Sequence, residues 1–310
     1  NNKNLNTGVI DMPNISTARN IIFDLIDMIK LYESQYGVKI KVLYVANLLT
    51  HYQCHPSNTN PFPQPISGTL DLNPSSSSFQ AKLNETKNAI QLLKQYNIDV
   101  FGVELGNELA SYLHNSTQSS SNGNGVTPQN YFDLAKVYAT SLKATFPGIK
   151  TGLVINEKGS LSTGANQYPN VWNTAIRTNV NSSTQNQGLF DAYIIHPYQA
   201  ITAGSEQNAL TSTITVINNI NAQMTYNGAV QKKLWLTEWS SAQSQAIYRN
   251  KFCEDIYTID FLNKLQADAT LRNIVEVNCK QIFANYDWST GFTASTEAAI
   301  QHTRNATNDI

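Results

Sequence analysis

Short apolar runs of strand character alternate with stretches of helical periodicity along most of this 310-residue chain, and no other feature constrains the fold as much. The strand-like runs are Lys39–Leu49, Ile98–Leu105, Ile149–Ile155, Leu189–Ile195, Leu234–Thr237 and Ile274–Phe283. Helical spacing is read over Ser16–Tyr36, Phe79–Tyr96, Pro128–Phe146, Tyr168–Val180, Gln207–Asn221 and Ser241–Gln266. In Phe79–Tyr96, for example, Leu83, Ile90, Leu92 and Leu93 recur at helical intervals and Asn97 follows as a stop. A strand followed by a helix, repeated, is the pattern of βα units on a parallel sheet, and at this length the expected form is a (β/α)8 TIM barrel. Six strand runs are found where a closed barrel needs about eight. Residues 1–310 are therefore expected to form a single barrel domain carrying strands 3 to 8, a portion of a longer protein. The first two strands are expected to be missing from the chain, or supplied by a further segment.

Composition narrows the function classes. The formal net charge is -1 and only 14% of residues are charged, so no electrostatic signal for nucleic acid or an anionic membrane face exists. No apolar run is long enough to span a bilayer. Asn, Ser and Thr stand where surface Lys and Glu are usual, a composition that fits an exported, sugar-handling protein. Extracellular or cell-surface location is the expectation. The cysteines Cys54, Cys253 and Cys279 are too few and too scattered for a disulfide framework or a zinc site. No Gly-rich phosphate loop or serine nucleophile elbow is present, and neither a cofactor nor a metal is expected.

The chemistry-bearing residues stand at strand ends. Phe101–Glu108 (FGVELGNE) closes a strand on Asn107-Glu108, and Lys233–Ser240 (KLWLTEWS) closes another on Glu238. In a barrel the carboxyl ends of the strands form the active-site face, so two glutamates far apart in sequence can converge there as a pair of catalytic carboxylates. Side chains alternate along a strand, which puts Gly102, Glu104, Gly106 and Glu108 on one face and Leu234, Leu236 and Glu238 on one face. Two polar, low-complexity stretches, 54–78 and 115–125, also follow strand ends and are candidates for shaping a substrate cleft.

Gly106-Asn107-Glu108, then His196-Pro197-Tyr198, then Leu236-Thr237-Glu238-Trp239, at the ends of successive strands, resemble the retaining glycoside hydrolases of clan A. Glu104–Glu108 is most similar to the heparanase and β-glucuronidase branch, and Leu236–Trp239 to the β-xylosidase and arabinofuranosidase branch. In that clan the Glu after Asn ends the fourth strand and the other Glu ends the seventh, and the order here agrees. The resemblance implies hydrolysis of a poly- or oligosaccharide by double displacement, with Glu108 as acid/base and Glu238 as nucleophile. It further implies that Asn107 binds a sugar hydroxyl, that Tyr198 holds the nucleophile and that His196 lines the same subsite. Trp288 becomes a stacking platform, and Asn47 and His51 contact sugar hydroxyls. The expected partner is a carbohydrate.

Each of these residues has a plainer reading. Asn-Glu dipeptides are common loop caps, and Glu104, deeper in its strand, reads as a buried and hydrogen-bonded structural acid. Trp235 and Trp239, which alternate against Glu238, read as packing against helices. From a different class, the alternative function is a carbohydrate-binding or structural surface protein that keeps the barrel without catalysis.

Overall fold

The computed structural model describes residues 21–48, 52–53, 64–65, 72–107, 109, 126–157, 167–201, 204–239, 241–242 and 251–280. Within them, six strands form one sheet: β1 (Lys41–Ala46), β2 (Asp99–Leu105), β3 (Lys150–Val154), β4 (Ala192–Ile195), β5 (Lys233–Trp239) and β6 (Val275–Lys280). Every pairing is parallel, and the order across the sheet is the order along the chain. Each strand therefore hands the chain to a crossover and receives it back one strand further on, in the same direction. The crossovers are α2 (Ser77–Gln95, preceded by α1, Ile21–Tyr36), α3 (Pro128–Thr145), α4 (Gln167–Asn181) with the short α5 (Thr184–Leu189), α6 (Glu206–Met224), and α7 (Lys251–Ala267) with the short α8 (Ala269–Ile274).

Local chemistry fixes these helices. Ser76 caps α2 by accepting a hydrogen bond from the Phe79 amide, and Phe79, Leu83, Ile90 and Leu93 are buried on one face. Burying each such side chain stabilises the fold by about 1.5–3 kcal/mol. Thr127 caps α3 with Pro128 in its first turn, and Tyr131, Leu134, Ala135, Tyr138 and Leu142 turn inward. Tyr131 then locks two strands from outside: its hydroxyl donates to the Leu105 carbonyl and accepts from the Val154 amide, each at 2.7 Å. Asp191 ties the same region from below, accepting from the Thr151 amide at 2.9 Å and from Lys143 Nζ of α3 at 2.7 Å.

The sheet is curled into part of a (β/α)8 barrel, and side-chain contacts show it directly. In a flat sheet β2 and β5 would stand three spacings, roughly 14 Å, apart. Instead the Phe101 ring of β2 lies 5.6 Å from the Trp235 ring of β5, and Lys150 of β3 pairs with Glu276 of β6. The interior is narrow because of two glycines on its wall. A Cβ on Gly102 would come within 2.7 Å of the Trp235 indole, and one on Gly152 within 2.9 Å. A single indole thus fills space that aliphatic side chains from neighbouring strands would otherwise occupy.

Two details depart from the sequence reading. Trp235 points into the barrel, where it is wholly buried and donates from Nε1 to Glu276 Oε2 at 2.9 Å, rather than packing on helices. Trp239 does pack on a helix, edge-on against Tyr257 and Phe261 of α7. The reason both hold is a bulge in β5: Asn278 and Lys280 of β6 pair with Leu236 and Trp239, so β5 carries one more residue than its partner over this step. The simple alternation that placed Leu234, Leu236 and Glu238 together on the inner face does not survive it. Trp235 and Thr237 are the inward residues, and the extra residue lets Glu238 turn toward the barrel mouth as well.

Candidate active site

The carboxyl ends of β4 and β5 bring three of the sequence-selected residues together. After β4 the chain makes a tight turn in which the Tyr198 amide donates to the His196 carbonyl at 2.9 Å. Proline at 197 suits this turn, since it presets φ. The turn aims the Tyr198 hydroxyl at β5, where it donates to Glu238 Oε2 at 2.7 Å, the short distance of a hydrogen bond to a charged acceptor. The His196 ring lies beneath, with Nδ1 3.8 Å from the same carboxylate oxygen and Nε2 2.9 Å from Thr237 Oγ1. The bulge thus places two consecutive side chains, Thr237 and Glu238, on either side of one imidazole.

Burial grades sharply through this cluster. The His196 side chain is 4% exposed, whereas that of Glu238 is 33% exposed, open to a ligand on the mouth side and held by Tyr198 on the other. Deeper still is Glu104 of β2, at 1% exposure, with Oε1 3.5 Å from His196 Nε2. Neither Glu104 oxygen has a hydrogen-bond partner among the described residues, so the hydrogen-bonded structural acid expected from sequence is buried but not hydrogen-bonded there. The contact crosses the barrel over β3, whose inner wall at this level is Gly152. It links the strand that carries Asn107 to the strands that carry Tyr198 and Glu238.

Asn107 follows Gly106, whose φ of 94° is in the left-handed region and whose Cβ, if present, would meet Leu109 Cδ1 at 2.6 Å. Glycine is needed there to turn the chain out of β2 and leave Asn107 exposed at the strand end. Asn47, at the end of the neighbouring β1, is also exposed, and its carbonyl accepts from the Tyr138 hydroxyl at 3.2 Å. The Gly106 amide donates to the Ala46 carbonyl, which sets the Asn47 and Asn107 strand ends side by side. Glu108, His51 and Trp288 lie outside the described residues, as do most of 54–78 and all of 115–125.

Titratable neighbours of the cluster are pushed away from ionisation. Burial raises the Tyr131 phenol well above its ordinary range, with a smaller contribution from the Glu104 charge, and burial followed by Glu104 likewise raises the Cys279 thiol. Among the described residues no three His, Cys, Asp or Glu side chains gather in a metal-ligating group. No described helix is long and apolar enough to cross a membrane. Thr237 and Glu104 are the members of the cluster that sequence reading did not select. For Thr237 no signal exists in the linear pattern, and for Glu104 the only one is its place on the face shared with Gly102.

The sequence matches no protein-family model and no curated protein. Its fold does match solved structures. The family 86 glycoside hydrolase BuGH86, in complex with neoagarooctaose, aligns with a TM-score of 0.50 at 13% identity, over 83% of this chain and 41% of its own. A family 44 xyloglucanase from Paenibacillus polymyxa aligns at 0.47 and 13% identity, covering 86% of this chain and 60% of its own. AbfB, a family 51 α-L-arabinofuranosidase from Bifidobacterium longum, aligns at 0.45 and 14% identity, covering 88% and 63%. The chain spans between 36% and 63% of the length of the α-L-arabinofuranosidases it matches. The likeness is one of fold.

Proposed function

We propose that this chain carries the catalytic face of a retaining glycoside hydrolase, with Glu238 as nucleophile and Glu108 as acid/base, acting on a poly- or oligosaccharide outside the cell. The observation that carries the reading is the Tyr198 hydroxyl at 2.7 Å from a partly exposed Glu238 carboxylate at the carboxyl end of a barrel strand. One Glu238 oxygen is held by the phenol, which leaves the other free to approach an anomeric carbon along a fixed line. In the first displacement Glu238 forms a covalent glycosyl ester while the acid at 108 protonates the departing oxygen. In the second, the same group at 108, now a base, takes a proton from water as that water displaces Glu238. Asn107, exposed on the strand end next to Asn47, is suited to donate to a sugar hydroxyl whose hydrogen bond strengthens as positive charge develops on the ring. Whether the site cuts within a polymer or at its end follows from segments 54–78 and 115–125.

A 2-deoxy-2-fluoro glycoside with an activated leaving group tests the assignment, because it allows the first displacement and slows the second. After a panel of nitrophenyl glycosides has identified an accepted sugar, the expected result is a stoichiometric mass increase on the peptide containing Glu238. Labelling of any other carboxylate would overturn the assignment. Glu108→Ala should lose turnover and regain it with azide on an activated substrate, as an acid/base variant does.

A further inference from the structure

A carboxyl group in the floor of the site has no role in the mechanism above. Glu104 is 1% exposed and its two oxygens lack a hydrogen-bond partner among the described residues. An ionised carboxylate so placed would be strongly disfavoured unless a positive charge faced it. Among the described residues, the titratable groups that face it come from three elements. Tyr131 of α3 is committed to the Leu105 carbonyl and the Val154 amide, and burial keeps its phenol protonated. Cys279 of β6 cannot become a cation. His196, following β4, can, and its Nε2 lies 3.5 Å from Glu104 Oε1 while its Nδ1 lies 3.8 Å from Glu238 Oε2. The imidazole thus stands between two carboxyl groups, one sealed from water and one open to a ligand.

We propose that Glu104 is a positioning residue: its buried carboxylate keeps a proton on His196 and so holds an imidazolium against Glu238. Both ring nitrogens then carry hydrogen. The Nε2 hydrogen is shared between Thr237 Oγ1 and Glu104, and the Nδ1 hydrogen faces Glu238. A positive charge fixed there stabilises the negative charge that Glu238 bears before attack and regains when the glycosyl ester is hydrolysed. The ion pair itself follows from Glu104 and His196 alone, whereas its kinetic role rests on reading Glu238 as the nucleophile.

Nitrogen-15 spectra of the histidine-labelled chain, with the His196 signals identified by their loss in His196→Asn, separate the two parts. In the wild type both His196 ring nitrogens should show imidazolium shifts at pH 7, above the ordinary histidine midpoint of about 6.5. In Glu104→Gln, which keeps the shape and removes the charge, the ring should become neutral at the same pH. For an accepted glycoside, Glu104→Gln should lower kcat roughly 10- to 100-fold, the effect of losing one charge-assisted contact, with KM unchanged within about twofold. A neutral His196 in the wild type overturns the proposal, and that spectrum decides even if Glu104→Gln does not fold. Imidazolium shifts that persist in Glu104→Gln, or an unchanged kcat in that variant, overturn it equally. A wild-type chain that hydrolyses no glycoside overturns the reading of Glu238, and the spectra then decide on the ion pair by themselves.

Discussion

The two ends of the barrel interior solve opposite problems. At the end where the strands begin, Lys150, Glu276 and the Trp235 indole form a closed set. The lysine pairs with one carboxylate oxygen, the indole N–H donates to the other, and Lys150 also lies 4.7 Å from the Phe101 ring centroid. At the end where the strands finish, a sealed carboxyl with no hydrogen-bond partner closer than the imidazole among the described residues, that buried imidazole and a half-open carboxylate are stacked toward the mouth. The first end has satisfied its polar groups within the chain. The second retains, among the described residues, hydrogen-bonding capacity that a ligand can use.

Substitutions at each end sharpen the contrast. Tyr198→Phe should reduce kcat by roughly 10- to 100-fold while thermal unfolding shifts little, because the hydroxyl donates to a partly exposed carboxylate. Steady-state kinetics beside a melting curve measure both, and an intact kcat would remove Tyr198 from the site. Gly152→Ala should do the reverse. Its Cβ would press within 2.7 Å of Ile194 Cδ1 and 2.9 Å of Trp235, which predicts a loss of about 1–3 kcal/mol in urea unfolding with the mouth still formed. A stable Ala variant would mean that the indole has room to move.

The smallest effect is expected at Glu276. Burial works to raise its pKa, but hydrogen bonds from Lys150 and Trp235 and the lysine charges outweigh it, so the folded value is lowered. A depressed carboxylate contributes stability that is present above its unfolded pKa, about 4.3, and is lost as pH falls through the folded value. Glu276→Gln should therefore cost up to about 1 kcal/mol at neutral pH and nothing in strong acid, the range for a partly exposed pair. Denaturant midpoints measured from pH 7 down to 2 would show the two curves converging. Curves that stay parallel would exclude an ionic contribution.

Much of this architecture is legible in the sequence because parallel strands buried on both faces read as continuous apolar runs. Ile98–Leu105 was expected and Asp99–Leu105 is found; Ile149–Ile155 contains Lys150–Val154. The short helices Thr184–Leu189 and Ala269–Ile274 were not expected, since elements of under two turns before a strand carry too few residues to show a period. In the candidate site, Tyr198, His196 and Glu238 were chosen as strand-end residues, a rule that depends only on where each run stops. The orientation of Trp235 and the part played by Thr237 were hidden because both depend on the bulge in β5, and alternation by twos assumes an unbroken pleat. The approach of Glu104 to His196 was hidden for another reason: it depends on how tightly the sheet curls, a property of the whole interior that no local segment encodes.

That curl makes the paired glycines and one indole share a single volume. Gly102 and Gly152 stand on adjacent strands and jointly accommodate one indole, so the space at positions 102, 152 and 235 is shared and a larger side chain at either glycine must displace the indole. In relatives that replace Trp235 by a smaller side chain, alanine or larger residues should appear at the glycine positions in the same lineages. Ancestral reconstruction would then place the changes close together, and a drift of either glycine in the presence of the tryptophan should be rare.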